Sequence, residues 1–260
     1  MKCGHSLENF SLLEPKKYIY GVHPVIEAIE SGKNIDKIFL QKGLHGVNYK
    51  YILSKIKKHV IPFQFVPREK LRNLTLKNHQ GIFAFISPIK YHKIYDLIPM
   101  IYEKGKNPFL LIIDRISDVR NFGSIIRTAE CGGVDAVIFS SKGSTIISSD
   151  AIKASSGGIL NISLCKELDL YKSLLNLKKY GIQIVAATEK SSTIFYEVDF
   201  SSPIAIIIGN EESGIDSSIL SLTDKQVKIP MFGNISSMNV SVVCGVLIYD
   251  VLRKRYAKIT

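Results

Sequence analysis

The second half of this chain is predicted to be an α/β unit built on a largely parallel sheet, and three observations carry that prediction. First, Phe109 to Ile113, Ala136 to Ser140, Ile182 to Ala187 and Ile204 to Ile208 are short runs, apolar almost throughout and separated by helical stretches. Such runs mark strands buried on both faces, as when helices cover both sides of a parallel sheet. Second, polar glycine-bearing loops follow or adjoin these runs, where α/β proteins place ligands. Third, the chain changes character near its middle. Residues 1–104 hold 17 Lys+Arg against 8 Asp+Glu, a net of +9, whereas residues 105–260 hold 17 against 15, a net of +2.

Taken in order, Pro24 to Glu30 reads as a helix with proline in its first turn. Lys37 to Leu40 reads as a short strand, and Val47 to His59 as an amphipathic helix carrying Lys50, Lys55, Lys57 and Lys58. Ile61 to Val66 and Gly81 to Ser87 are further strands. Pro88 to Tyr91 marks a boundary, followed by a helical stretch from His92 to Lys104 and a break from Gly105 to Pro108. The predicted organisation is a first domain over 1–90, a connecting segment over 91–106 and a second domain over 107–260. Val240 to Tyr256, apolar and then basic, reads as a terminal packed helix.

At 260 residues and 46% hydrophobic residues the chain can bury substantial cores. Its longest apolar runs fall far short of the ~20 residues a membrane helix needs, and Met1 to Phe10 has no secretion-signal pattern. Cys3, Cys131, Cys165 and Cys244 form no CxxC pair, which predicts neither zinc nor disulfides and a reducing, cytoplasmic setting. The basic first part is compatible with a nucleic-acid partner or with a solvated lysine surface. All six histidines precede position 105, so the second half has no histidine base and no cluster with metal-ligand spacing; no metal is expected.

Three loops carry the candidate chemistry. They are Asp114 to Ala129, Ile208 to Ile215 and Ile229 to Ser241. Gly209, Gly214 and Gly233 allow sharp turns or close approach of backbone to a ligand. Gly209 to Gly214 has the glycine spacing of a phosphate loop but lacks the following Lys and Ser/Thr. No G-x-G-x-x-G opens a helix, and no G-x-S-x-G elbow is present.

The three loops closely resemble the three motifs of the SpoU (TrmH-type) family of RNA ribose 2′-O-methyltransferases, from about Phe109 to Tyr256. Asn121, Gly123, Arg127 and Ala129 fall in register in the first motif. Gly209, Glu211 and Gly214 do so in the second, and Ile229-Pro230-Met231 with Ser237 to Ser241 in the third. Lys153 to Gly158 is similar to the family's small-residue helix start. Val119 stands where many members have proline, and Met238 where leucine is usual. Tyr20 to Val25 and Asn78 to Ile82 resemble the ends of an L30e-like RNA-binding domain found in one branch of the family.

The resemblance implies a C-terminal trefoil-knotted (SPOUT) parallel-sheet domain preceded by a small α/β L30e-like domain. It implies S-adenosylmethionine as cofactor, bordered by Gly209, Ile229, Met238 and Ser237. Arg127, Asn121, Glu211 and Asn239 are then the catalytic candidates. A ribose hydroxyl needs a base or strong electrostatic help. Because a guanidinium gives up a proton reluctantly, Arg127 is expected to stabilise the developing alkoxide or fix the adjacent phosphate. Each candidate also has an ordinary reading: core packing for Ile229 and Met238, pairing with Glu130 for Arg127, and loop-stabilising hydrogen bonds for Ser237 and Glu211. Glu211 is expected to anchor Asn121 or Arg127. The partners implied are RNA, with 23S rRNA favoured by the L30e-like part, and a second copy docking through the knot region and last helix. An apolar helix buried within one chain would look the same. The alternatives are a tRNA ribose methyltransferase, or a non-catalytic RNA-binding protein with a degenerate knotted domain.

Overall fold

The computed structural model describes residues 18–59, 61–141, 147–235 and 237–256. They form two compact units, one comprising residues up to Lys90 together with 147–149, the other the remainder.

The first unit contains β1 (Tyr18–Tyr20), α1 (Val22–Glu30), β2 (Ile35–Gln41), α2 (Val47–Lys58), β3 (Phe63–Val66), α3 (Arg68–Leu74) and β4 (Ile82–Ile86). Its four strands are ordered β1-β4-β2-β3, with β2 and β3 parallel and the other pairs antiparallel. Side chains alternate between its faces, as the two-residue period of a strand requires. Ile38, Leu40, Ile82 and Ala84 pack with Val25, Ile29, Ile52 and Ile56 of α1 and α2. Phe39 and Phe83 point the other way and pack with Leu71 of α3. The two motifs Tyr20 to Val25 and Asn78 to Ile82 meet here: the Val22 amide donates to Gln80 Oε1 (3.0 Å) and the Gly21 amide to the Ile82 carbonyl (3.0 Å).

The second unit holds α4 (Ile94–Glu103), β5 (Phe109–Ile113), α5 (Val119–Cys131), β6 (Ala136–Ser140), α6 (Ser149–Ala154), β7 (Ser163–Glu167), α7 (Leu170–Lys179), β8 (Gln183–Ala187), β9 (Ile204–Ile208), α8 (Ser217–Leu220), β10 (Lys225–Val227) and α9 (Val240–Tyr256). Its six strands lie in the order β10-β8-β9-β5-β6-β7, and every pair is parallel. This is the parallel sheet the apolar runs predicted. All five residues of β5, β6 and β9 are buried, each large side chain contributing about 1.5–3 kcal/mol of transfer free energy. Ile94, Ile98 and Ile101 of α4 lie in the same apolar cluster as Leu110, Ile138 and Ile207.

Strand order reverses at β5. The chain moves outward through β6 and β7, then returns to lay β9 on the opposite side of β5. The loops after β5 and β9 therefore leave adjacent carboxyl ends, the place where open α/β sheets bind ligands. Two edge strands, β7 and β10, were absent from the sequence reading. An edge strand lacks one neighbour, and Ser163-Leu-Cys-Lys-Glu and Lys225-Gln-Val mix polar residues with apolar ones. The segment Lys153 to Gly158 also differs from expectation. It closes α6 and leads into a 3-10 turn over Gly158–Leu160, where a helix start was expected. Its packing explains the small residues: a Cβ on Gly123 of α5 would lie 2.4 Å from the Ala154 Cβ. Among the described residues no helix is long and apolar enough to cross a membrane.

Candidate functional site

A pocket opens at the carboxyl ends of β8, β9 and β10. Its walls are Ala187, Thr188 and Glu189 after β8, Ile208 to Glu211 with Gly214 after β9, and Val227 to Ile229 with Met231 after β10. Ser237 and Met238 form the loop side, and Val240, Val243 and Leu247 of α9 form the floor. Gly209, Ile229, Ser237 and Met238 thus line one cavity. The backbone at Gly209 runs so close to the returning chain that a Cβ there would lie 2.5 Å from the Gly214 carbonyl carbon and the Ile215 nitrogen. Gly214 itself has φ +67°, the left-handed region that favours glycine.

Beside the pocket, side chains from all three motif loops join in a chain of hydrogen bonds. The Asn121 amide nitrogen donates to the Glu211 carboxylate, and the Asn239 Nδ2 donates to Asn121 Oδ1 (3.1 Å). Asn239 Oδ1 in turn accepts the Ser241 amide (2.9 Å). The polarity of this chain follows from its acidic end. An ionised carboxylate only accepts, so Asn121 must present its NH₂ to Glu211 and its carbonyl to Asn239. That choice orients Asn239 as well. Asn121 sits in the first turn of α5, its own amide held by the capping carboxylate of Asp118 (2.8 Å). The Glu211 charge therefore lies beside the positive end of a helix dipole, where it is stabilised. Val119, the departure from proline, is the first residue of α5, a position that accepts proline without requiring it.

A second network, which sequence reasoning missed, ties the loop after β5 to the loop after β9. Asp114, only 3% exposed, accepts the Arg115 guanidinium (3.1 Å) and the Asp216 amide (2.9 Å). Asn210 Nδ2 donates to the Arg115 carbonyl (3.1 Å), and Asn210 and Gly214 exchange backbone hydrogen bonds (3.1 and 2.9 Å). Arg115 has φ +56°, an uncommon value for a non-glycine residue, which these bonds hold in place. The Asp114 carboxylate raises the Arg115 pKa, chiefly through their hydrogen bond. Thr188 and Glu189 were also missed as pocket residues. The rule applied to the other strand ends would have found them, since they directly follow a predicted strand.

Arg127 stands apart. It is exposed on α5 and does not line the pocket. Its Cα faces Gly158, whose Cβ would lie 3.5 Å away. Among the described residues its guanidinium makes no hydrogen bond or ion pair, so neither the Glu130 pairing nor the Glu211 anchor is formed.

Apolar walls, with the Glu189 and Glu211 carboxylates outnumbering the Lys228 ammonium, suit a nucleoside carrying a positive centre, and the residues present fit S-adenosylmethionine. Fold and pocket together define a parallel α/β domain with a pocket at its strand ends. Residues 108–249 match the family model described as the SpoU rRNA methylase family, and residues 18–92 match one described as RNA 2′-O ribose methyltransferase substrate binding. The chain is 35% identical over 238 residues to a Staphylococcus haemolyticus protein named as a TrmH family tRNA/rRNA methyltransferase, covering 92% of this chain and 96% of that one. It is 32% identical over 238 residues to Bacillus subtilis YacO, named likewise, with the same coverage. In fold it is similar to the SpoU methyltransferase AviRb from Streptomyces viridochromogenes in complex with AdoMet. That likeness has a TM-score of 0.59 at 20% identity and covers 98% of this chain and 95% of that one. The chain belongs to the SpoU family of RNA 2′-O-ribose methyltransferases. It is an RNA methyltransferase whose cofactor is S-adenosylmethionine.

Proposed function

We propose that this protein methylates a ribose 2′-hydroxyl in large-subunit (23S) ribosomal RNA. The observation that carries this reading is the joining of Glu211, Asn121 and Asn239, one from each motif loop, at the rim of the pocket. The substrate-binding match over residues 18–92 supports an RNA recognised through a dedicated first unit. When bound, S-adenosylmethionine supplies an electrophilic methyl group. Gly209, Ile229, Met238 and Ser237, which line the pocket, would hold that cofactor. Glu211 lines the pocket, so its negative charge would favour the cofactor's positive centre, and by accepting from Asn121 Nδ2 it fixes the rotamer of Asn121. The second N–H of Asn121 and the free lone pairs of Glu211 remain to orient a ribose hydroxyl.

Arg127 supplies the positive charge that stabilises the developing alkoxide or holds the adjacent phosphate. From its exposed place outside the pocket it acts on the pocket of a second copy. Met231, which lines the pocket, continues into a surface of exposed apolar residues: Phe232 (96% exposed), Ile235, Val242 and Tyr249. A patch of this kind on the last helix and the loop before it supports a homodimer. In this reading the segment before α9 threads the knot that the family resemblance implies. Ribose-methylation profiling of ribosomal and transfer RNA, with and without the gene, tests the substrate. Loss of one 23S rRNA site is the expected outcome; loss at a tRNA site alone would refute it.

A further inference from the structure

The first unit gathers most of its carboxylates at one end of its sheet, while lysines and arginines occupy both ends. The opposite end gathers the carboxyl ends of β1, β2 and β3 and the start of β4. The Gln41 amide bonds to the Gly81 carbonyl (2.8 Å), the Lys42 amide to the Val66 carbonyl (2.9 Å), and the Val22 amide to Gln80 Oε1 (3.0 Å). Leu44 packs against Gly81, where a Cβ would lie 2.3 Å from its Cδ1. Residues 20–23, 41–46, 66–68 and 79–82 therefore share this end. Lys42, Lys50, Arg68, Arg72 and Lys77 are all exposed there. Arg68 and Arg72 act on the buried His79 through their charges. Its imidazole is held below its ordinary pKa by burial first and then by those two charges.

Among the described residues, carboxylates are almost absent from this end. Residues 18–90 contain Glu27, Glu30, Asp36 and Glu69. Glu27 and Glu30 lie late in α1, and Asp36 lies at the start of β2, all toward the other end. Only Glu69 falls among the basic residues. The lysines at the far end of α2 have a different setting. Lys55 is paired with Glu30 (2.7 Å), which also accepts the Tyr51 hydroxyl (3.0 Å).

We infer that the RNA backbone is taken by this end of the sheet, with Lys42, Arg68 and Arg72 as its phosphate contacts, and not by the lysine-bearing end of α2. The partner chemistry is a run of phosphates, because several exposed cations with one carboxylate among them complement a polyanion. This rests on the reading of the protein as an RNA methyltransferase and names the surface that reading leaves open.

The test uses the full chain, a 23S rRNA transcript, the triple variant Lys42→Glu/Arg68→Glu/Arg72→Glu, and the double variant Lys57→Glu/Lys58→Glu. All five side chains are exposed, and a melting curve with S-adenosylmethionine calorimetry confirms that each variant keeps its fold. The triple variant should bind at least about tenfold more weakly at physiological salt. Its dependence of log affinity on log salt should flatten by about 2–3, near 0.7–0.9 for each of the three lost phosphate contacts. The double variant should change less. A triple variant with wild-type affinity and slope, or a double variant with the larger effect, overturns the assignment alone. A wild-type chain that binds no RNA overturns it together with the proposed function.

Discussion

Gly209 offers the most direct way to disturb the pocket without touching its chemistry. In Gly209→Ala the added methyl would sit 2.5 Å from the Gly214 carbonyl carbon and the Ile215 nitrogen. Carbon atoms in contact stand about 3.5–4.0 Å apart, so the returning chain must move by roughly 1 Å. It is not free to do so. Gly214 exchanges two backbone bonds with Asn210 (2.9 and 3.1 Å), and Asp216 bonds to the buried Asp114 (2.9 Å). A displacement of that size breaks at least the first two bonds, each contributing about 0.5–1.5 kcal/mol. The total, about 1–3 kcal/mol, agrees with the usual cost of overpacking. At about 2–4 °C per kcal/mol, a loss near 2 kcal/mol lowers the melting temperature by roughly 4–8 °C. Glu211 lies inside the displaced turn, so cofactor binding should weaken at least about tenfold, equal to about 1.4 kcal/mol. Calorimetric titration with S-adenosylmethionine and a thermal melt measure both. Wild-type values in both would refute the claim that this close backbone approach shapes the site.

Other expectations concern the networks around the pocket. Asp114→Asn removes the charge that anchors Arg115 and should cost about 1–3 kcal/mol in urea unfolding; an unchanged midpoint would show that the link between the two loops is not stabilising. Arg127→Ala and Glu211→Ala should each be inactive alone. With the proposed dimer, mixing and subunit exchange should recover about a quarter of wild-type activity, since half of such dimers would be mixed, each with one complete site of two. No recovery would place Arg127 in the pocket of its own chain. A thiol reagent should modify the exposed Cys131 in the native protein, while Cys165 and Cys244, pushed up to about 12 by burial, react only on unfolding. Peptide mass mapping that found Cys244 labelled in the native state would contradict the packing of α9.

The sequence is most legible where burial is most complete. β5, β6 and β9 were readable to the residue because strands covered on both faces tolerate little but apolar side chains. Edge strands β7 and β10 escaped because one open side relaxes that demand. The site divides in a similar way. Gly209, Ile229, Ser237 and Met238 could be placed near one another by motif spacing. The direction of the hydrogen bonds through Glu211, Asn121 and Asn239 could not, because it depends on residues 90 and 118 positions apart meeting in space. Asp114 and Arg115 were in plain view within the first motif. Their role was hidden because it lies in a left-handed backbone and a contact to a loop about a hundred residues away.

Ribose methylation by this site depends, in the proposed reading, on Asn121. Purified protein, 23S rRNA and methyl-labelled S-adenosylmethionine, followed by alkaline digestion, test it most directly, because a 2′-O-methyl group blocks cleavage at its own phosphodiester. Label is expected in an alkali-resistant dinucleotide, abolished by Asn121→Ala with the fold intact. Label recovered in mononucleotides, as base methylation would give, or retained by the Asn121 variant, would contradict it.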